Sequence, residues 1–125
     1  MRFLIVAGLS VGIVFAGAAQ ALEPKLIILT KLQPRAFAKT LVSVKEFACL
    51  DKLWKAESHW NARAKNPSSG AYGIAQFMPQ TWHNYNLIKT SNPYKQITYG
   101  IHYINNRYQG SPCLAWKHEQ TYNWY

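Results

Sequence analysis

Acidic residues are scarce in this sequence. It has 5 Asp and Glu against 14 Lys and Arg, which gives a formal net charge of +9 at pH 7. A chain this basic is attracted to polyanions, and nucleic acid, anionic lipid and bacterial wall polymers all qualify. Charge therefore does not choose a partner, but any chemistry that needs a carboxyl group has few candidates here.

Motifs of several common enzyme classes are also missing. The sequence has no Gly-x-Ser-x-Gly motif, no phosphate-binding loop and no dinucleotide fingerprint. None of its 4 His residues has the spacing that zinc peptidases use, and its 2 Cys residues lack closely spaced partners. We therefore expect neither a metal site nor a cofactor.

The longest apolar stretch stands at the N-terminus. Residues 1–21 combine a basic start, an apolar run over residues 3–16 and a small-residue end, which is typical of a secretory signal peptide cleaved after Ala21. The alternative is an uncleaved membrane anchor. Gly8 and Gly12 interrupt the run, however, and a spanning helix needs roughly 18 to 20 apolar residues. We expect a secreted protein of the periplasm or cell wall, without a stable membrane anchor.

Export determines how the two cysteines are interpreted. Thiols outside the cytoplasm are oxidised, so Cys49 and Cys113 are predicted to form a disulfide. The alternative is a pair of free buried thiols. A bridge that closes a loop of this size would contribute roughly 4 kcal/mol to the stability of a small core.

The remaining chain is long enough for one domain. Residues 22–45 carry five Lys or Arg and two Pro, and they are interpreted as a basic connecting arm, with room for a short helix from Ala36. Residues 46–125 are predicted to form a mainly α domain that functions as a monomer. The alternation of apolar and polar residues that is typical of a strand is confined to residues 71–77.

The periodicity of apolar residues and the positions of residues that begin or end helices predict four helical segments in this domain. Apolar residues recur every three or four positions over residues 46–60. Pro79 begins a short helix to about Tyr85, and Asn92 followed by Pro93 begins a longer one that stops near Gly110. A last short piece runs from Ser111 through residue 116.

Glu57 occupies an unusual position in the first of these helices. It lies three residues after Trp54 and three before Trp60, so its side chain projects with an aromatic core face. Burial beside aromatic rings raises a carboxyl pKa, and a protonated glutamic acid can serve as a general acid. The alternative is a glutamate at the edge of the face that reaches water or pairs with Lys or Arg.

A partner carboxylate for Glu57 is hard to find in the sequence. Asp51 points about 120° away around the helix, and Glu46 lies roughly three turns off. Glu23 falls in the arm. Glu119 lies near the C-terminus, where a close approach is possible, but nothing in the sequence supports it. A lone acid remains chemically reasonable when the substrate supplies its own nucleophile, as an acetamido sugar can.

The residues that follow Glu57 resemble a known family. ESHWN at residues 57–61, NPSSGAYGIAQ at residues 66–76 and the Met78-Pro79 pair resemble the soluble lytic transglycosylase and goose-type lysozyme family. The similarity covers residues 46–125. It extends to small secreted forms through the Pro-Cys pair at residues 112–113, AWKH at residues 115–118 and the final Trp-Tyr.

The resemblance implies a lysozyme-like fold with a groove beside the catalytic helix. Glu57 would be the single general acid/base that cleaves the β-1,4 bond between N-acetylmuramic acid and N-acetylglucosamine in peptidoglycan glycan strands. The muramyl 6-hydroxyl would then close a 1,6-anhydro ring. Attack by water, as in a lysozyme, is the alternative outcome, and the lack of a second carboxylate favours ring closure.

The resemblance also implies substrate-binding residues. Larger members carry Ala-Tyr-Asn-Ala-Gly, whose tyrosine lies near the catalytic glutamate, where this chain has Ala-Trp-Lys-His. Tyr99 and Tyr103 are added because aromatic rings stack on sugar faces, although core packing is the alternative. The candidates are Ser58, Asn66, Gly73, Gln76, Met78, Tyr99, Tyr103, Trp116 and His118.

Two other functions compete with this one. A non-catalytic peptidoglycan-binding or aggregation-promoting module would keep the fold and the groove, but it would have no need of a buried acid. A cationic protein acting on membranes or nucleic acid would show a basic amphipathic face, whereas the basic residues here are spread through arm and loops. We therefore expect no nucleic-acid partner.

Overall fold

The computed structural model describes residues 32–125, so the predicted signal peptide and the first part of the predicted arm lie outside the described residues. Within them, the chain forms five helices and no strand, apart from isolated bridges that join Lys65 to Tyr72 and Tyr72 to Phe77. The mainly α fold class is confirmed. In chain order the helices are α1 (Pro34–Lys39), α2 (Val44–Ser58), α3 (Pro79–Asn84), α4 (Pro93–Arg107) and α5 (Pro112–Tyr122).

The helix ends follow the local chemistry of the sequence. The Asn92 side chain accepts hydrogen bonds from the backbone N–H groups of Tyr94 and Lys95, which confirms the predicted start of α4. Ser43 and Ser111 cap α2 and α5 in the same way. α5 runs to Tyr122, about six residues beyond its predicted end, because no Gly or Pro interrupts residues 113–122.

The core is built around Trp54, which is fully buried together with Leu50 and Leu53 of α2 and Ile97 and Ile104 of α4. α4 crosses closely over the Trp54 ring at Gly100. A Cβ atom at Gly100 would lie 2.5 Å from Trp54 Cζ2, so any side chain there would push the helix away.

α1 packs on this core, within the stretch predicted as a connecting arm. Ala38 is fully buried, and the Phe37 ring meets the Tyr94 ring edge-on at 5.4 Å. The Arg35 guanidinium forms a two-pronged ion pair with Asp51 of α2. The domain boundary at residue 46 stays a prediction, and the structure adds that residues 34–39 contact the helices that follow.

α2 and α5 are joined covalently. Cys49 and Cys113 form the predicted disulfide, with Cα atoms 4.9 Å apart. Next to it, the Glu46 carboxylate accepts hydrogen bonds from Ser111 Oγ and from the Cys113 backbone N–H at 2.8 Å. A carboxylate at a helix N-terminus satisfies free N–H groups and interacts favourably with the helix dipole.

None of the helices in residues 32–125 is long and apolar enough to cross a membrane.

Loss of the disulfide should destabilise the domain without changing its helical content. The bridge closes a loop with a sequence separation of 64, which corresponds to about 4 kcal/mol in the loop-entropy model. We expect urea unfolding monitored by circular dichroism to show a lower midpoint for the Cys49→Ser/Cys113→Ser double variant. Reductant should lower the midpoint of the parent and leave that of the double variant unchanged. A parent whose thiols are titrated as reduced, yet whose midpoint does not move, would contradict this.

Candidate active site

A cleft of about 210 Å³ opens at the C-terminal end of α2. One wall comes from the loop between α2 and α3, and the others come from α3, α4 and the segment after α5. Its lining residues are Glu57, Asn66, Ala71, Ala75, Gln76, Phe77, Met78, Thr81, Tyr103, Asn123, Trp124 and Tyr125.

Glu57 reaches this cleft because α2 ends immediately after it. The next residue, Ser58, is buried, and its hydroxyl donates to the Ile74 backbone oxygen at 2.8 Å. His59 then adopts a left-handed conformation with φ 53°, which ends the helix. Ser58 is not part of the cleft lining. It fastens the end of α2 to the loop, which keeps the Glu57 backbone in place.

Gly73 has a structural role in the same loop. Its φ is +87°, and a Cβ atom there would lie 2.6 Å from the buried side chain of Gln96. Gln96 Oε1 accepts a hydrogen bond from Ile74 N, and Nε2 donates to Ala62 O at 2.8 Å. Gly73 therefore lets the loop lie directly against the amide that holds it.

Gln76 and Met78 line the cleft, as the resemblance implies for both. Gln76 has a φ of 49°, and its Nε2 donates to Ala64 O at 3.1 Å and to Gly73 O at 2.9 Å. Met78 is 43% exposed. Asn66 also lines the cleft, and its Oδ1 accepts hydrogen bonds from the Ser68 and Ser69 backbones.

Two tyrosines stand beside Glu57. The Tyr125 hydroxyl accepts a hydrogen bond from Trp54 Nε1 at 2.9 Å and donates to Ala75 O at 3.1 Å. The Tyr103 hydroxyl donates to the Tyr125 main-chain oxygen at 3.1 Å. Burial raises the pKa of both phenols, and the negative charge of Glu57 raises the Tyr125 pKa further. Glu57 acts on the pKa of both phenols, which are therefore its tyrosine neighbours. The Ala-Trp-Lys-His segment at residues 115–118 does not supply this neighbour.

The structure corrects the expectation that Glu57 has no carboxylate neighbour. Because α5 continues past Trp116, it includes Glu119, which acts on the pKa of Glu57. Glu119 Oε2 is buried and has no hydrogen-bond partner among residues 32–125. The periodicity of each helix taken separately could not reveal that Glu57 and Glu119, which are 62 positions apart, influence each other.

Burial and neighbouring groups shift the pKa of each of the two carboxyl groups. The pKa of Glu57 is raised from 4.5 to about 7, first by burial, then by repulsion from Glu119, and by the hydrogen bond that joins them. Burial also raises the pKa of Glu119, while the hydrogen bond from Glu57 and the charge of His118 oppose that rise. Both carboxyl groups therefore retain a proton to higher pH than an ordinary glutamic acid does.

Besides Ser58 and Gly73, three more predicted binding residues lie outside the cleft lining. Tyr99 packs edge-on against the Trp82 ring at 6.1 Å, and Trp116 is partly buried against the core. His118 lines a second cavity on the surface of α5, and its Nδ1 lies 2.7 Å from Trp124 O. His118 thus supports the segment that carries Trp124 rather than facing the cleft.

Several cleft residues were not identified from the sequence. Thr81 and Phe77 lie close to the recognised loop but carry no distinctive spacing, and Asn123 lies beyond a helix that was expected to end earlier. Trp124 and Tyr125 did carry information, because they form the Trp-Tyr pair of the small secreted forms. Within residues 32–125 no cluster of His, Cys, Asp and Glu has the arrangement of a metal site.

Comparison with known proteins identifies one family. The family model described as the transglycosylase SLT domain matches residues 39–124, which is more than half of the chain. A search of curated proteins and a search of solved structures each gave no match.

The raised pKa of Glu57 should make stability depend on pH. A folded-state pKa of about 7 against an ordinary 4.5 means that the native state binds the proton more tightly, so stability falls as the pH rises through this window. Glu57→Gln removes this loss. We expect the unfolding free energy of the variant, minus that of the parent, to rise by about 2 kcal/mol between pH 4 and pH 8. Denaturant titrations at several pH values measure it, and a difference that stays flat would contradict the assignment.

Proposed function

Because the chain belongs to the transglycosylase SLT domain family, we propose that it is a peptidoglycan lytic transglycosylase in which Glu57 is the single catalytic acid and base. The family points to peptidoglycan-cleaving activity in general. The finer proposal is cleavage of the β-1,4 bond between N-acetylmuramic acid and N-acetylglucosamine, with formation of 1,6-anhydro-muramyl ends.

One observation carries this proposal: Glu57, whose carboxyl pKa is raised to about 7, lines an open cleft. A pKa of about 7 leaves a large fraction of Glu57 protonated near neutral pH, and a general acid works best when its pKa lies near the working pH. Trp54, fully buried one turn earlier, and the phenols of Tyr103 and Tyr125 provide the poorly solvated surroundings.

In the first step Glu57 acts as the acid. It donates its proton to the glycosidic oxygen, the bond from muramyl C1 to that oxygen breaks, and N-acetylglucosamine leaves with a free 4-hydroxyl. The acetamido oxygen of the muramyl sugar forms a bond to C1 and holds the positive charge as an oxazolinium ion. Glu57 is left as a carboxylate.

In the second step the same residue acts as the base. The Glu57 carboxylate removes the proton of the muramyl 6-hydroxyl, O6 bonds to C1, and the bond from C1 to the acetamido oxygen breaks. The products are a 1,6-anhydro-muramyl end and a protonated Glu57, and no water is consumed. The enzyme is thereby ready for another cycle.

The contact with Glu119 does not turn the site into a two-carboxylate glycosidase. Such enzymes hold their two carboxyl groups roughly 5 to 9.5 Å apart on either side of the sugar. Glu119 is not among the described residues that line the cleft. The nucleophiles of the proposed reaction therefore belong to the substrate.

Cleft residues suited to sugars support the proposed substrate. Trp124 lines the cleft and is 50% exposed, which leaves an indole face for stacking on a sugar ring. Asn66 and Gln76 supply amide groups that can hydrogen-bond to acetamido and hydroxyl groups. Peptidoglycan lies outside the cytoplasm, in keeping with the disulfide, and its anionic groups complement the net charge of +9.

The decisive assay is incubation of purified protein with peptidoglycan, followed by mass spectrometry of the released fragments. We expect muropeptides one water lighter than hydrolytic products, and Glu57→Gln should lower their release by about 100- to 10,000-fold because the proton donor is lost. Glu23→Gln, the same chemical change outside the family match, should retain the parent rate.

Other results separate the competing functions. Fragments that have gained water would indicate a lysozyme. Binding to peptidoglycan without release of fragments would indicate a binding module. Full activity in Glu57→Gln would show that the catalytic residue lies elsewhere.

A further inference from the structure

We infer that a second cavity, next to the cleft, binds the carboxylate-bearing peptides that peptidoglycan carries on its muramyl sugars. This cavity lies on the surface of α5 and the end of α4, and its volume is about 470 Å³. Small-ligand sites typically occupy about 300 to 1,000 Å³, so a short peptide fits. The inference rests on the proposed function, because the glycan strand in the cleft is the source of the peptide.

One face of α5 forms most of the cavity wall, and residues 107–109 form the rest. The α5 residues follow the spacing i, i+3, i+4, i+7 and i+8, which places them on a single side of the helix. The opposite side of α5 packs on the core, where Ala115 is fully buried. The cavity face is open to solvent at both ends. Its residues are Leu114 (45% exposed), Lys117, His118, Thr121 and Tyr122 (60% exposed).

The cavity has an excess of positive charge. Arg107 and Lys117 line it, and none of the described residues in its lining is Asp or Glu. Neither cation has an acidic partner within residues 32–125, where Arg35 and Asp51 form the ion pair. Arg107 ends α4 and so interacts favourably with the helix dipole, but Lys117 stands in the middle of α5. Two cations without an acid in one cavity favour an anionic ligand, and the guanidinium fork matches a carboxylate.

Apolar rings lie beside these charges. The His118 ring is 4.6 Å from the Tyr122 ring and 5.6 Å from the Tyr108 ring, measured between centroids, so the three form a continuous row. Leu114 adds an exposed aliphatic side chain. A peptide of alanine and acidic residues offers carboxylates next to short aliphatic groups and matches both kinds of surface. Inorganic phosphate matches the charge alone.

The cavity shares a wall with the cleft, and Trp124 forms that wall. Trp124 lines the cleft, while the His118 ring packs on it at 4.3 Å and His118 Nδ1 lies 2.7 Å from its main-chain oxygen. The Arg107 guanidinium lies 5.7 Å from the Trp124 ring and 5.4 Å from the ring of Tyr103, which also lines the cleft. A polymer with a sugar in the cleft and a peptide branch on that sugar can therefore occupy both sites, which strengthens its binding.

NMR titration of the purified protein tests this inference. N-acetyl-L-alanyl-D-glutamate should shift the backbone amide signals of residues 114–122 in a saturable way. Its diamide, which has the same shape and no carboxylate, should shift them at most about a third as much at the same concentration, because the charged hydrogen bonds are lost. Equal shifts with the diamide, or equal shifts with inorganic phosphate, would overturn the assignment to a carboxylate-bearing peptide.

Variants of the exposed Lys117 locate the binding site. Lys117→Gln should weaken binding of the dipeptide by about 3- to 10-fold, whereas Lys117→Arg should stay within about twofold of the parent. Lys95→Gln is the matched control, because it removes the charge of another exposed lysine near the opposite end of α4 from Arg107. It should bind the dipeptide as the parent does. Equal affinity in the Gln variants of both lysines would contradict the inference.

The same dipeptide attached to N-acetylmuramic acid tests the link between the cavity and the cleft. It should shift the amide signals of residues 114–122 together with the indole N–H signal of Trp124, at lower concentration than the dipeptide alone. Shifts of cleft residues alone would overturn the inference. The titration involves no bond cleavage, so its failure is distinguishable from failure of the proposed function, which would appear as an absence of anhydro fragments.

Discussion

The burial of the Glu57 carboxyl group is the constraint on which the rest of the site depends. Burial disfavours the ionised form and, together with the charge of Glu119, raises the pKa of Glu57 to about 7. The chain has 5 acidic residues, and two of them, on α2 and α5, influence each other here. α2 and α5 are fixed to each other by the disulfide and by the hydrogen bonds of Glu46.

The hydrophobic core continues directly into the cleft. Trp54 is fully buried, packs closely on Gly100 and donates a hydrogen bond to Tyr125, whose hydroxyl in turn donates to Ala75. Each residue in this series of contacts belongs to a different segment of the protein. The wall of the cleft beside Glu57 is therefore held by the same contacts that stabilise the fold. A site supported in this way keeps its catalytic group in one orientation and limits the access of water to it.

The sequence predicted local features better than contacts between distant segments. Asn92 and Pro93 placed the start of α4, and periodicity together with the resemblance singled out Glu57, because both are encoded within a few neighbouring residues. Glu119 and Tyr125 were missed as neighbours of Glu57, since their positions depend on the length of α5 and on its register against α2. Ser58 and Gly73 were predicted as binding residues, and the structure places both in contacts that hold the loop, because a motif records that a residue is required without saying whether it touches the ligand.

The most direct test of this account is a carbon-13 NMR titration of the glutamate side-chain carboxyl carbons, with Glu57 assigned from the spectrum of Glu57→Gln. The account predicts that the Glu57 carbon titrates with a midpoint near pH 7 and that the Glu119 signal senses the same transition, because each group acts on the pKa of the other. A Glu57 midpoint near its ordinary value of 4.5, with no response at Glu119, would contradict it.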